Sequence, residues 1–332
     1  MLVTACGSDP GPATAIDAAP TIDAPDAPPP PPGLRRWLVG HAADVVTTTR
    51  SGLILMGGGT DVDAAFAWQR DRIGGGDVVV LRASGADGYN AYLHDDIGGI
   101  DSVETLLVNT AALAAEPYVA WTIDHAEAVF LAGGDQAVYV EAWGGGPVAA
   151  ALTAAYARGA VVGGTSAGTA VLGEVVYSAR NGSVTSAEAL ADPYTVYVTL
   201  DRAFVSIAPL AQVITDTHFG ARNRMGRLLA FLGRARVDGL AARPIGLGID
   251  EATALVIDET GLGTVVGSGA VYVVAPDAPP EACAAATPLA WTGVPYQTLR
   301  AGATIALPSG TTAAPTRTLD ASGGFTDPAD PY

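Results

Sequence analysis

One hydroxyl, one imidazole and two carboxylates hold most of the chemical information in this chain. The hydroxyl belongs to Ser166, within Gly164-Thr165-Ser166-Ala167-Gly168. That run fits the G-x-S-x-G pattern, in which a strand turns sharply into a helix and presents a strained serine nucleophile. The flanking glycines are needed because a Cβ there would clash with neighbouring elements. A plain glycine-rich turn, or an anion-binding loop at a helix start, has a similar composition. A serine nucleophile also needs a base within hydrogen-bond reach and a third group to orient it. Of four histidines, His41 precedes the first core strand, while His94 and His125 stand in polar stretches beside Asp95 and Asp124. His218 is different. It follows the strand-like run 212–217 and precedes a helix-like stretch, 222–236, which places it at the same sheet edge as Ser166. Asp216, two residues away, and Glu251, at the end of the apolar run 245–251, are both candidates for the orienting acid. The chain order also exchanges acid and base relative to an α/β-hydrolase, so this is a serine site on another scaffold.

Three cations come next. Arg222, Arg224 and Arg227 crowd the start of the 222–236 stretch, whose Met225, Leu228, Leu229 and Leu232 supply a buried face. Cations at a helix start oppose the macrodipole. Planar guanidinium groups suit carboxylates, so these arginines are expected either to meet an anionic ligand or to pair with acids of the chain such as Asp216 or Glu251.

The elements that must position these groups alternate. Strand-like runs at 53–56, 77–82, 102–108, 126–132 and 160–162 are interleaved with helix-like stretches at 61–73, 136–143 and 147–158. This pattern predicts an α/β fold, a mostly parallel sheet with helices on both faces. Ligands bind at the carboxyl ends of such strands. Four glycine-rich turns follow those ends: Gly57–Thr60, Ala83–Gly88, Gly133–Gln136 and Gly163–Ser166. The catalytic domain is expected over residues 34–276. Within it, 264–266 and 270–275 read as a hairpin around Gly267-Ser268-Gly269. Residues 277–332 read as a short C-terminal β appendage with a loose tail, and Cys283 as a lone thiol.

Composition narrows the partners. The 332 residues include no lysine, and 17 arginines face 34 acids for a formal net charge of −17. That balance argues against nucleic acid and against docking on anionic lipid. Residues 1–33 combine a lipobox-like Leu2-Val3-Thr4-Ala5-Cys6 with a Pro-, Ala- and Asp-rich tether that has little apolar surface to bury. They predict an exported protein, lipid-anchored through Cys6 and touching a membrane only there. A start codon placed too far downstream would account for the missing signal-peptide segments. No run is long and apolar enough for a transmembrane helix.

Together the motifs resemble the cyanophycinases, serine peptidases grouped with dipeptidase E, over about residues 50–275. The carriers are Gly133-Gly134-Asp135-Gln136, the Ser166 motif, Asp216-Thr217-His218-Phe219 with the arginine run 222–227, and Gly248-Ile249-Asp250-Glu251. The resemblance implies a class I glutamine-amidotransferase-like fold with Ser166 as nucleophile, His218 as base and Glu251 as the third member. It also implies a substrate site lined by Gln136, Arg222, Arg224 and Arg227, with Asp216 beside them. The oxyanion would meet the Ala167 N–H and one from Gly134 or Asp135. The implied substrate is cyanophycin, a polyaspartate whose side chains carry arginine through isopeptide bonds, and the products are β-aspartyl-arginine dipeptides. No metal or organic cofactor is called for, and a homodimer is left open. Thr217 stands where the family often has glutamine, and Thr169 where alanine is common. Two other readings stay open: a related peptidase of other aspartyl or isoaspartyl peptides, and a non-catalytic surface lipoprotein whose three site residues need not converge.

Overall fold

The computed structural model describes residues 27–202 and 204–332. Cys6 and most of the expected tether lie outside the described residues.

Among the described residues, eighteen strands build two stacked sheets. The first holds β1 (Arg35–Gly40), β2 (Gly52–Met56), β3 (Val78–Arg82), β4 (Ser102–Leu107), β5 (Ala128–Leu131) and β6 (Val161–Thr165). Then come β7 (Val175–Tyr177), β8 (Leu200–Arg202), β9 (Val213–Asp216) and β10 (Ile245–Ile249) of the second sheet. β11 (Thr253–Ile257) and β12 (Leu262–Gly267) return to the first, and β13 (Ala270–Val274) and β14 (Trp291–Arg300) to the second. The chain ends with β15 (Thr304–Ala306), β16 (Thr311–Thr312), β17 (Arg317–Ser322) and β18 (Phe325–Asp327).

The first sheet runs β1-β4-β3-β5-β6-β2-β11-β12-β15-β16, and its centre from β4 to β2 is parallel. The second runs β18-β17-β14-β13-β10-β9-β7-β8, with β10, β9 and β7 parallel. β2, β3, β5 and β10 are apolar at nearly every position because both faces are covered. Alternate residues of β2 go to opposite sides. Ile54 and Met56 pack with Phe66 of α1 (Asp63–Arg72), while Leu53 and Leu55 join residues of α3 (Pro117–His125), α4 (Gln136–Trp143) and α5 (Pro147–Ala157). The short α2 (Ala111–Ala114) precedes α3. Val213, Leu247 and Val271 of the second sheet enter the Leu53 cluster as well, so that cluster cements the sheets together. The outer face of the second sheet is covered by α7 (Ser186–Ala191) and α8 (Met225–Val237), with α6 (Ala167–Ala170) at the site.

Three expectations are corrected. β12 and β13 are not a hairpin: the Gly267–Gly269 turn carries the chain from one sheet to the other, and β12 pairs with β11 and β15 while β13 pairs with β10 and β14. The hydrogen-bonding edges of each strand are taken elsewhere, those of β12 by β11 and β15 and those of β13 by β10 and β14. The helix expected from residue 222 starts at Met225, because Asn223 takes a left-handed conformation (φ 48°) and ends a turn first. The tail is not loose at its end: the Tyr332 hydroxyl accepts a hydrogen bond from the Met225 N–H (2.8 Å), serving as a cap for α8. The antiparallel strands β14–β18 do form the C-terminal appendage, extending both sheets.

Candidate active site

Ser166 stands between β6 and α6 with φ 52° and ψ −118°, a conformation that non-glycine residues rarely adopt. The glycines around it leave room for the turn. A Cβ on Gly164 would lie 2.6 Å from the Gly168 carbonyl carbon, and one on Gly168 would overlap the Leu131 carbonyl. Thr169 has a use of its own. Its hydroxyl donates to the carbonyls of Met56 (2.8 Å) and Gly164 (2.6 Å), tying the turn to β2.

His218 and Glu251 follow β9 and β10, so they belong to the second sheet, whereas Ser166 ends a strand of the first. The expectation of one shared sheet edge is therefore corrected: the site is a seam between two sheets. The loop after β2 stitches that seam. Gly57 accepts from the His218 N–H (2.7 Å) and Gly58 from the Ala252 N–H (3.0 Å). His218 and Ala252 share the positive φ of Ser166, at 48° and 52°, so backbone strain collects around one point.

At that point the side chains form a chain of hydrogen bonds. Ser166 Oγ lies 2.8 Å from His218 Nε2, and His218 Nδ1 lies 2.6 Å from Glu251 Oε1. Of the two candidate acids, Glu251 reaches the imidazole. The three residues converge, which runs against the binding-only reading. Burial pushes the His218 pKa below its usual value, the Glu251 hydrogen bond opposes this, and Arg222 and Arg224 push the same way as burial. The His218 hydrogen bond holds the Glu251 carboxyl below its ordinary range.

Ala167 is the first residue of α6, so its N–H has no intrahelical partner. Gly133 packs against Ser166, where a Cβ would sit 3.5 Å from the serine Cβ, and the exposed Gly134 and Asp135 follow. The Asp135 carboxylate caps α4 by accepting from the Ala137 N–H (2.9 Å). Gln136 Nε2 donates to the Tyr177 carbonyl (3.3 Å). Gly134, Asp135, Gln136, Arg224 and Arg227 line a cavity of about 430 Å³.

The arginines divide. Arg222 is exposed. Arg227 is 2% exposed and grips Asp216, itself 3% exposed, through Nε (2.8 Å) and Nη2 (2.6 Å), while Nη1 meets the Val184 carbonyl (3.2 Å). Arg224 Nη1 donates to the Thr217 carbonyl (2.7 Å) and approaches the same aspartate at 3.4 Å. Burial lowers its pKa to about 10. Asp216 and Arg227 therefore neutralise each other inside the wall, and Arg224 keeps Nε and Nη2 for other partners.

Asp250 was not singled out by sequence. Its carboxylate accepts from the N–H groups of Gly220 (2.8 Å) and Ala270 (3.0 Å), fixing the turn after His218. Its place beside Glu251 was the available signal. Among the described residues, no three His, Cys, Asp or Glu side chains converge as a metal site requires.

Known peptidases resemble this chain in sequence and in fold. The model of peptidase family S51 matches residues 89–265. A cyanophycinase of Trichormus variabilis is 31% identical over 181 residues, covering 54% of this chain and 55% of that protein. One from Synechococcus elongatus is 30% identical over 215 residues, covering 62% and 61%. The chain thus spans under two thirds of the length of these relatives. A peptidase from an acI-B1 Actinobacterium has a similar fold, with a TM-score of 0.53 at 18% identity, over 78% of this chain and 98% of its own. The family match takes in more than half of the chain, with Ser166, His218 and Glu251 inside it, and the chain belongs to peptidase family S51.

Proposed function

We propose that this chain is a serine peptidase that hydrolyses the polyaspartate backbone of cyanophycin to β-aspartyl-arginine dipeptides. The observation that carries the reading is the unbroken hydrogen-bonded chain from Ser166 Oγ through His218 to Glu251. Ser166 attacks the scissile carbonyl as His218 Nε2 takes its proton, and Glu251 steadies the imidazolium through Nδ1. The tetrahedral oxyanion is met by the Ala167 N–H and by one from Gly134 or Asp135. His218 then returns the proton to the leaving amine, and water, activated by the same imidazole, releases the acyl group.

The test is release of β-aspartyl-arginine from purified cyanophycin, with Ser166→Ala beside it. Release that disappears in the variant supports the reading; equal release by both proteins overturns it. A second reading is a related peptidase of other aspartyl or isoaspartyl peptides. It is favoured by the cavity that begins at Gly134 and Asp135, where Arg224 lines the wall and keeps Nε and Nη2 for an anionic partner. Cleavage of isoaspartyl peptides by a protein that leaves cyanophycin intact would select it. Export and anchoring through Cys6 form part of the proposal, checked by palmitate labelling that is lost in Cys6→Ala.

A further inference from the structure

We propose that Arg180 and Asp201 form a second substrate station, one step beyond the cavity lined by Gly134, Gln136 and Arg224, which takes a side chain bearing a carboxylate and a guanidinium together. The proposal rests on the peptidase reading above and adds what lies further along the chain being cut.

Two cavities share one wall residue. The first, of about 430 Å³, begins at Gly134 and Asp135 beside Ser166 and reaches Arg180, Gly182 and Ser183. The second, of about 140 Å³, begins at Arg180 and continues past Asp201 and Arg202 to Val140 and Phe204. Arg180 thus divides the two cavities. Its guanidinium holds Asp201 in a fork, Nη2 to Oδ1 at 2.7 Å and Nε to Oδ2 at 3.2 Å. The two side chains are 38% and 33% exposed.

The fold does not need this pair to close the turn. Ser178 N–H already donates to the Thr199 carbonyl (3.0 Å), and the Arg180 N–H donates to the Thr199 hydroxyl (3.1 Å). β8, which carries Asp201, is a three-residue edge strand. An exposed ion pair adds little to stability, so its charges are available for exchange. A side chain with both charges can lie antiparallel to the pair, its carboxylate on Arg180 and its guanidinium on Asp201. Four charges then alternate and none is left unpaired. Arg202 lines the second cavity alone, so Arg180 is the cation that faces both. In the proposed polymer every arginine keeps its α-carboxylate and its guanidinium. A polymer fills both cavities, whereas a substrate with a single scissile bond and one dipeptide unit on each side has fewer side chains to offer.

The expected outcome is a preference for length that depends on this pair. The kcat/KM ratio of cyanophycin to such a short substrate is measured for wild type, Arg180→Gln and Asp201→Asn at low salt. Each variant should lower the ratio about two- to fivefold, through KM for the polymer. A ratio equal to that of wild type in folded variants overturns the station and leaves the peptidase reading standing. Wild type that cleaves neither substrate removes both. Should the variants fail to fold, retention of Ser166→Ala protein on insoluble cyanophycin is followed as salt rises. Retention that weakens with salt supports the station, and retention indifferent to salt overturns it.

Discussion

His218 occupies the space that a side chain on Gly58 would take: a Cβ there would lie 2.5 Å from both Cε1 and Nε2 of the imidazole. Gly58 also has φ 91°, and its carbonyl holds the residue after Glu251. One glycine therefore sets the position of the base and the strand end that brings its acid. Gly58→Ala should displace the ring, lowering kcat by about 10²-fold, the loss expected of a misplacement near 1 Å. The left-handed backbone adds a stability cost of more than about 1 kcal/mol. Kinetics paired with thermal melting separates the two effects, and an unchanged kcat would show that the ring has room to spare.

The pH dependence follows from the surroundings of His218. As a general base it must be neutral, and burial with Arg222 and Arg224 lowers its pKa below the ordinary 6.5. The rate should therefore hold at neutral pH and fall only as pH drops through that lowered value. Removing the Arg222 charge favours the imidazolium, so Arg222→Gln should move the acid limb of kcat/KM upward, toward 6.5. A limb that stays put, or moves down, would separate Arg222 from the tuning of the base.

The sequence carried this site unevenly, and the reason is physical. Ser166, His218 and Glu251 were legible because each sits where an apolar run stops, and the parallel strands themselves were marked by continuous buried runs. Sheet membership was not. β6 and β9 look alike in composition, and only the stacking of Val213 and Leu247 on the Leu53 cluster reveals two layers. β12 and β13 do not form a hairpin for the same reason, since local alternation says nothing about which sheet each strand joins. The spacing of the arginine run points to a single cluster, yet burial splits it: Arg222 is exposed, while Arg227 is spent on Asp216.

That buried pair gives a stability prediction. With Asp216 and Arg227 both nearly inaccessible, Asp216→Ala leaves a guanidinium in the wall without its carboxylate. The expected loss is about 3–5 kcal/mol, seen as a lower denaturation midpoint. Replacing both residues by apolar side chains of similar volume should recover much of it, because the cost lies in the orphaned charge. A double variant as unstable as the single one would show instead that the pair is needed for its geometry.

Tyr332 tests how far the appendage supports the site. Its hydroxyl accepts from the Met225 N–H at 2.8 Å and donates to Asn223 Oδ1 at 3.0 Å, so it bridges the turn carrying Arg222 to the start of α8. Its ring meets Phe219 and Tyr272 edge-on, with centroids 5.9 and 5.5 Å apart. Tyr332→Phe removes the cap alone and should cost about 1 kcal/mol. Tyr332→Ala also removes the aromatic contacts, each of the order of 0.5–1.5 kcal/mol, and should cost clearly more. Both should speed amide exchange at Asn223–Met225, the alanine variant most. Equal exchange in wild type and Tyr332→Ala would mean that the turn next to His218 is held by Asp250 and its own backbone bonds, and that the appendage is there for the sheets alone.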